Sequence, residues 1–381
     1  MKQACLIIGL GAVLGMFGAG CGDGGASSET GGQGGAGGSS ATGGDGGSAT
    51  GGSTGGTTTG SGGQTTSSQG GMGGSGGQGG APDPCAACPG SCCDGACVDL
   101  TTSGAHCGQC GHDCEGGACA ASVCQPVVVG TGHLVGIDED EIFVAAASVS
   151  RYPKAGGAGT TIGPLAGSKY YLGATAIYAT TTGNQGSVNK LVLADGTSTT
   201  LASGENNPTY PLEVADHVYW GTTGGVVCRI PVAGGSATNF ITGQQIPYEL
   251  KSDGAKIYFT DTLAQKLKRS DLNGVLGVTD SVPSAARLVV DGTYLYLTGS
   301  GKIYQTQADG FGGGIMLVVT LPNDSPIHCL AKDGGDTLIG TDEGLRKNTK
   351  MLVSGGAVAE VFADAERVYF EKGGSTYKLV K

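Results

Sequence analysis

Two kinds of side chain are almost absent from the first 150 residues of this 381-residue chain. No Lys or Arg occurs between Lys2 and Arg151, and no Phe, Tyr or Trp occurs between Phe17 and Phe143. A segment without aromatic residues cannot bury enough apolar surface to offset the entropy that is lost on ordering. A large hydrophobic core must therefore lie in the C-terminal two-thirds, which carries 20 of the 21 aromatic residues.

Other absences exclude whole classes of protein. No apolar run reaches about 18 residues, which excludes a polytopic helical membrane protein. The 77 glycines follow no every-third spacing, which excludes collagen. With a net charge of −11 the chain does not attract negatively charged nucleic acid, so no nucleic-acid partner is expected. The chain also has no phosphate-binding glycine loop and no His-Glu-x-x-His pair, so neither a cofactor nor a metal is expected.

Residues 1–21 have the proportions of an export signal, with an apolar run over Leu6–Phe17. The small residues before Cys21 resemble the lipobox of bacterial lipoproteins, in which the cysteine is acylated and becomes the new N-terminus. The match is incomplete, because Gly18 stands where the family usually has Leu. We predict lipidation of Cys21, with an ordinary cleaved signal as the alternative. An exported protein of the cell envelope is expected, at the outer membrane or the cell surface, with the lipid as its only membrane contact.

Residues 22–84 are predicted to be a disordered linker. Glycine makes up 28 of the 59 residues from 22 to 80, and Ser, Thr, Ala and Gln make up most of the rest. Such a coil has a root-mean-square reach of roughly 40–45 Å, which suits a spacer between an anchor and a folded domain.

Residues 85–124 contain ten of the fourteen cysteines. An even number in a short exported segment without an aromatic core predicts a disulfide module. Zinc is the alternative, because two Cys-x2-Cys pairs have metal-knuckle spacing and His106 and His112 flank the second pair. The run over 92–111 resembles the short Cys-rich stalk modules of exported bacterial proteins, a likeness that implies no activity. The predicted disulfide cysteines are Cys85, Cys88, Cys92, Cys93, Cys97, Cys107, Cys110, Cys114, Cys119 and Cys124.

A repeat begins after Pro126. Arg151–Gly157 and Arg229–Gly235 are near copies, and each reads as a strand ending in a glycine hairpin turn. Upstream of such segments an aliphatic residue precedes an aromatic one, usually after an acidic turn. The unit is strand, acidic turn, aromatic strand, loop, strand, glycine turn and strand. Four strands in about 37 residues are typical of a β-propeller blade. The pairs are Ile142-Phe143, Ile177-Tyr178, Val218-Tyr219, Ile257-Tyr258, Leu295-Tyr296, a weaker Leu338-Ile339 and Val368-Tyr369.

We therefore predict an all-β β-propeller over 126–381, with seven blades favoured and six possible. The last unit ends at its third strand, and the apolar run Pro126–Gly130 can supply the fourth and so remove the exposed edges.

Two units, Val218–Thr222 and Ile257–Asp261, resemble the YWTD repeats of LDL-receptor-like (TolB-like) propellers of exported bacterial proteins. That family usually has six blades. The resemblance implies a fold and a habit of binding, but no particular ligand.

The candidate site consists of residues at the start of the strand that we expect to be innermost in each blade. They would form a polar, aromatic funnel at the mouth of the central channel, suited to a sugar, a peptide or a small organic ligand. The alternative is that they are ordinary loop residues. These residues are His133, Tyr170, Tyr210, Tyr248, Arg287, His328 and Glu360.

The sequence favours a lipid-anchored, monomeric binding protein whose partner is an envelope protein, a glycan or a small molecule. The alternative is a propeller enzyme of the lactonase or lyase type, with His133 or His328 as base and Glu360 nearby. A third possibility is a passive spacer or assembly part.

Overall fold

The computed structural model describes residues 85–86, 88–277, 280–309 and 314–381. These residues form nine antiparallel sheets and one 3-10 turn, Pro322–Asp324. The predicted signal with Cys21 and the predicted linker 22–84 lie outside the described residues. Within the described part, no helix is long and apolar enough to cross a membrane.

The Cys-rich segment forms two small hairpins that disulfides hold together. β1 (Ser91–Cys93) pairs with β2 (Ala96–Val98), and β3 (Cys119–Ala120) pairs with β4 (Val123–Cys124). All ten cysteines of the segment are paired, which confirms the predicted disulfide module. The bonds are Cys85–Cys92, Cys88–Cys97, Cys93–Cys110, Cys107–Cys119 and Cys114–Cys124.

Seven four-stranded sheets follow, and they form a seven-bladed propeller. The favoured blade number is therefore confirmed and six is wrong. β5 (Val127–Thr131) comes first in the chain. Blade 1 consists of β6 (His133–Ile137), β7 (Glu141–Ala145), β8 (Val149–Pro153) and β9 (Thr160–Gly163). Blade 2 consists of β10 (Lys169–Leu172), β11 (Ala176–Thr181), β12 (Gly186–Val192) and β13 (Ser198–Glu205). Blade 3 consists of β14 (Leu212–Val214), β15 (His217–Gly221), β16 (Val227–Pro231) and β17 (Thr238–Ile241).

The remaining blades have the same order. Blades 4 to 7 are β18 (Pro247–Ser252), β19 (Lys256–Asp261), β20 (Lys266–Asp271) and β21 (Asp280–Ser281); β22 (Leu288–Asp291), β23 (Tyr294–Gly299), β24 (Lys302–Gln307) and β25 (Met316–Thr320); β26 (Ile327–Asp333), β27 (Asp336–Thr341), β28 (Gly344–Lys347) and β29 (Lys350–Ser354); β30 (Val358–Ala363), β31 (Arg367–Lys372) and β32 (Ser375–Val380), completed by β5.

Blade 7 closes the ring with both ends of the propeller sequence. Its order is β30-β31-β32-β5, and β5 pairs antiparallel with β32 from Ser375 opposite Thr131 to Lys378 opposite Val127. The strand predicted from the apolar run before the first repeat is therefore confirmed. This pairing removes the open edges that an unclosed array of sheets would expose.

The aliphatic–aromatic pairs lie on the second strand of each blade, and all of their side chains are buried except that of Tyr296, which is half-buried. Successive side chains on a strand point to opposite faces. In blade 4, Ile257 therefore packs with Tyr219 of blade 3, while Tyr258 packs with Leu295 of blade 5. Two consecutive apolar residues are needed because each blade lies between two others.

The acidic turn and the aromatic strand of the repeat are joined by a hydrogen bond. In blade 4, Asp253 Oδ1 accepts the N–H groups of Ala255 and Lys256, and Asp253 Oδ2 accepts the Tyr258 hydroxyl at 2.7 Å. Blade 7 repeats this arrangement, with Tyr369 donating to Asp364 at 2.9 Å. The turn therefore fixes the buried tyrosine of its own blade.

The paired glycines of the two near-copy segments have left-handed backbone. Gly156 and Gly157 have φ of 97° and 127°, and Gly234 and Gly235 have φ of 92° and 125°. Side chains other than glycine rarely adopt these angles, so the turns between β8 and β9 and between β16 and β17 need glycine for its backbone freedom.

The Cys-rich segment packs on blade 7. Cys114 and Cys124 are buried in one apolar cluster with Val358 and Phe370. Beside this cluster, the Glu115 carboxylate accepts Arg367 Nε at 2.7 Å and Lys378 Nζ at 2.9 Å.

A buried ion pair crosses the seam between blade 7 and blade 1. Lys154, only 7% exposed, places its Nζ 2.9 Å from Asp364 Oδ2, and Lys378 Nζ donates to the Lys154 carbonyl at 3.3 Å. Burial alone would raise the pKa of Asp364. The Lys154 ammonium and the hydrogen bonds from Glu366 N–H, the Tyr369 hydroxyl and Arg367 N–H lower it instead, to about 2.

Asp364→Asn should destabilise the ring because it leaves the Lys154 ammonium buried without its counter-charge. We expect a loss of about 1–3 kcal/mol at pH 7, between the values of exposed and buried pairs. Urea unfolding measures it. Asp138→Asn is the matched control, since Asp138 also caps a first turn but pairs with no lysine among the residues that the structure describes.

The same ion pair predicts a dependence on pH. The pKa of Asp364 in the folded chain lies below its ordinary value of 3.8, so its stabilisation is complete above that value. It is lost as the pH falls through about 2. The difference in stability between wild type and Asp364→Asn should therefore shrink between pH 4 and pH 2. A difference independent of pH would contradict an ionic role for Asp364.

Candidate ligand site in the central channel

A cavity of about 690 Å³ lies in the central channel of the ring. The innermost strands of the blades line it along their length, as β6 does from His133 to Ile137. We call the end at which these strands begin the channel mouth. Neighbouring strand starts meet there, because Glu249 near the start of β18 accepts the N–H of Leu288 at the start of β22.

Charged and aromatic side chains gather at the mouth. Several come from blades that are distant in sequence, so only ring closure brings them together. Those lining the cavity are His133, Lys169, Tyr170, Tyr210, Glu249, Arg287, Glu360 and Glu371.

Tyr210 lies next to two cations. The Arg287 guanidinium donates a hydrogen bond to the Tyr210 hydroxyl, and its Cζ lies 5.0 Å from the ring centroid. Lys169 Nζ lies 4.9 Å from the same centroid, within the range of a cation–π interaction. The Tyr248 ring packs edge-on at 5.5 Å. Burial raises the pKa of Tyr210, so it remains a neutral phenol near two positive charges.

Glu249 neutralises the buried arginine. Its Oε2 lies 3.9 Å from Arg287 Nη1 and also accepts the Leu288 N–H at 3.1 Å, while its Oε1 pairs with Lys251 at 3.2 Å. Burial acts to lower the pKa of Arg287, but Glu249, Tyr210, Glu360 and Tyr248 together outweigh burial and raise that pKa. The guanidinium is therefore a fixed, permanently charged group.

At the seam between blades 7 and 1, Glu371 has the role that Glu249 has between blades 4 and 5. Its buried carboxylate lies 2.9 Å from His133 Nδ1 and accepts the N–H of Leu134 at 3.2 Å. Glu371 therefore joins β31 to the start of β6 and orients the imidazole of His133.

Two charged groups at the mouth have no ion-pair partner within the described part of the chain. Lys169 makes no contact with a carboxylate within 4.0 Å, and burial, followed by the charge of Arg287, lowers its pKa. The carboxylate of Glu360 is also outside every ion pair. Burial raises the pKa of Glu360, against the opposing effect of Arg287.

Five of the seven predicted site residues line the cavity: His133, Tyr170, Tyr210, Arg287 and Glu360. Tyr248 supports the Tyr210 ring but is not among the residues that line the cavity. His328 also does not line it, and its Nε2 bonds instead to Asp342 at 2.6 Å. The next residue, Cys329, is among the residues that line the cavity, but its side chain is buried in the apolar cluster with Val358.

Sequence reasoning missed Lys169, Glu249 and Glu371. Lys169 and Glu249 lie next to the predicted Tyr170 and Tyr248, so the same strand starts carry the signal for them. Glu371 lies at the end of a second strand, opposite Glu360. A search restricted to innermost strands could not find it.

No family model and no curated protein matches the chain. Among solved structures, virginiamycin B lyase from Staphylococcus aureus is similar at TM-score 0.54 and 15% identity, covering 68% of this chain and 98% of the lyase. A catalytically inactive form of that lyase with quinupristin gives the same values. The WD40 β-propeller domain of Doa1 is similar at TM-score 0.53 and 12% identity, covering 68% and 97%. At such low identity these likenesses show that the fold is a β-propeller.

Glu371→Ala should destabilise the ring by about 1–3 kcal/mol, because it leaves the buried N–H of Leu134 without an acceptor. The shift of the urea midpoint measures this loss. Glu139→Ala is the control, because Glu139 is exposed in the first turn of blade 1 and such changes stay within about 0.5 kcal/mol. Equal midpoints for the two variants would show that Glu371 does not hold the seam.

Proposed function

We propose that this chain is an exported, lipid-anchored binding protein that holds a small polar ligand at the channel mouth. One observation carries the proposal. Cations, carboxylates and tyrosines from most of the blades converge on a single cavity of about 690 Å³. That volume lies within the range of roughly 300–1,000 Å³ that is typical of small-molecule sites.

The rigidity of the mouth supports binding. Arg287 is held by Glu249, and His133 is held by Glu371, so these groups keep their positions without a ligand. Polar groups that are already oriented lose little entropy when a ligand arrives. The site is therefore suited to recognition of a small polar molecule rather than to a broad protein surface.

Sequence features support the anchored location. The apolar run before Cys21 and the glycine-rich linker have the order of an anchor and a spacer. The five disulfides downstream are typical of proteins in oxidising compartments. The YWTD-like segments, which lie on β15 and β19, add the family resemblance to exported binding propellers.

Catalysis is the second candidate function, and one contact favours it. Glu371 holds His133 at 2.9 Å on the wall of the channel, an arrangement that orients an imidazole for proton transfer. Virginiamycin B lyase is named as an enzyme on a similar propeller. His328, the other base considered, pairs with Asp342 and does not line the cavity.

The test is equilibrium binding of the full chain to a panel of glycans, short peptides and small organic molecules. We expect one class to bind, and Arg287→Met to weaken it at least tenfold, because Arg287 holds Tyr210 and Glu249 in place at the mouth. Arg151→Met is the matched control, since Arg151 makes only a long surface pair with Glu141.

The state of the recovered compound separates the two functions. Recovery of the unchanged compound supports a binding protein, whereas recovery of a product assigns an enzyme and contradicts the proposal. Absence of binding across the whole panel also contradicts it.

Anchoring has its own prediction. In a bacterial host, the wild-type chain should partition with membranes and into detergent, while Cys21→Ser should lose this partition because no thiol remains for acylation. Cys5→Ser is the matched control within the same signal. Equal partition of wild type and Cys21→Ser would contradict a lipid anchor at Cys21.

A further inference from the structure

We propose that the ligand is a small zwitterion, a free α-amino acid or a short peptide. Its carboxylate would pair with Lys169 and its ammonium with Glu360. This inference rests on the proposed function, because it names the ligand class of the same cavity.

The formal charge of the cavity wall favours a ligand without net charge. Four cations and four carboxylates line the cavity, so their sum is zero with neutral histidine. A ligand of one sign would leave the wall unbalanced, whereas a ligand with one charge of each sign would not. The cations are Lys169, Lys251, Arg287 and Lys332, and the carboxylates are Glu249, Asp291, Glu360 and Glu371.

Most of these charges are already satisfied. Glu249 pairs with Arg287 and Lys251, and Glu371 binds His133 and the N–H of Leu134. At the other end of the channel, Asp291 is exposed to solvent. Lys332 lies there too, with its Nζ 4.4 Å from the centroid of the Tyr296 ring. A ligand therefore has little to gain from these six groups.

Lys169 and Glu360 are the two that remain. The Lys169 ammonium lies over the Tyr210 ring at 4.9 Å, near the like charge of Arg287. The backbone N–H of Val361 donates a hydrogen bond to the Glu360 carboxylate. Partly desolvated charges without partners cost free energy, which an opposite charge on a ligand would recover. The pKa of each group is displaced toward its neutral form, as expected for an ionic group that lacks a partner.

Lys169 and Glu360 attract each other at longer range, but within the described residues no ion pair at 4.0 Å or less joins them. A bridging molecule must therefore carry its own two charges some distance apart, as amino acids and short peptides do. A neutral sugar would leave both groups unmatched, and a monocarboxylate would leave Glu360 unmatched. Between these groups and the far end, Val135, Leu172 and Leu330 provide an apolar wall for a side chain.

Isothermal titration of the full chain tests the proposal with L-leucine, Ala-Leu and Ala-Ala-Leu. Each probe is used in three forms: free, N-acetylated and C-amidated. We expect at least one free probe to bind, and blocking either terminus to weaken it at least tenfold. This comparison uses the wild-type chain, so it does not depend on the folding of any variant.

Two variants then assign each terminus. Lys169→Met should make the free and C-amidated probes bind equally, and Glu360→Gln should do the same for the free and N-acetylated probes. Lys350→Met and Glu139→Gln are the matched controls, because both residues are exposed and outside the cavity lining. They should keep the wild-type preference for free termini.

Blocked probes that bind as tightly as free ones would overturn the proposal, as would preferences that persist in both site variants. If none of these probes binds but a sugar or another compound of the broader panel does, the zwitterion is wrong while the binding function stands. If nothing in either panel binds, the binding function itself fails.

Discussion

Closure of the ring by β5 is the interaction on which the rest of the structure depends. The strand nearest the Cys-rich segment completes the sheet that the C-terminal strand β32 leaves open, so the first and last blades become neighbours. Polar contacts cross the same seam, among them Lys154 with Asp364 and Glu371 with the start of β6. The channel exists only because the seam is closed, and His133 reaches its carboxylate only there. Stability and site geometry therefore share one junction.

The carboxylates at the channel mouth divide into two kinds. Glu249 and Glu371 are buried acceptors for an N–H at the start of a neighbouring innermost strand, and each also holds a basic side chain. Glu360 lies in the same ring without such a partner. This division explains why the acidic and basic groups at the mouth do not all neutralise one another. The structural pairs fix the frame, and the remaining charges face the cavity.

The Cys-rich segment belongs to the same junction. It contributes two buried disulfides to the apolar cluster of blade 7, and Glu115 receives Arg367 and Lys378 from the closing sheet. Lys378 also donates to the carbonyl of Lys154 in blade 1. The segment thus packs against the seam. In the proposed anchored protein, the spacer would lead into this segment, which packs against the seam.

The sequence by itself determined the repeat, the closing strand and the disulfide module, and it favoured seven blades over six, because local patterns mark these features. The acidic turn, the aromatic pair and the glycine turn recur in the chain, and Gly156 and Gly234 mark turns that need positive φ. Only the tertiary structure decided the site. At an irregularity in the pairing of β26, His328 bonds to Asp342 instead of lining the cavity, and Glu371 reached the mouth from a second strand. Ion pairs between blades neutralise some of the charges and leave Lys169 and Glu360 without an ion-pair partner in the described part of the chain. Which charges pair depends on contacts between residues up to 238 positions apart.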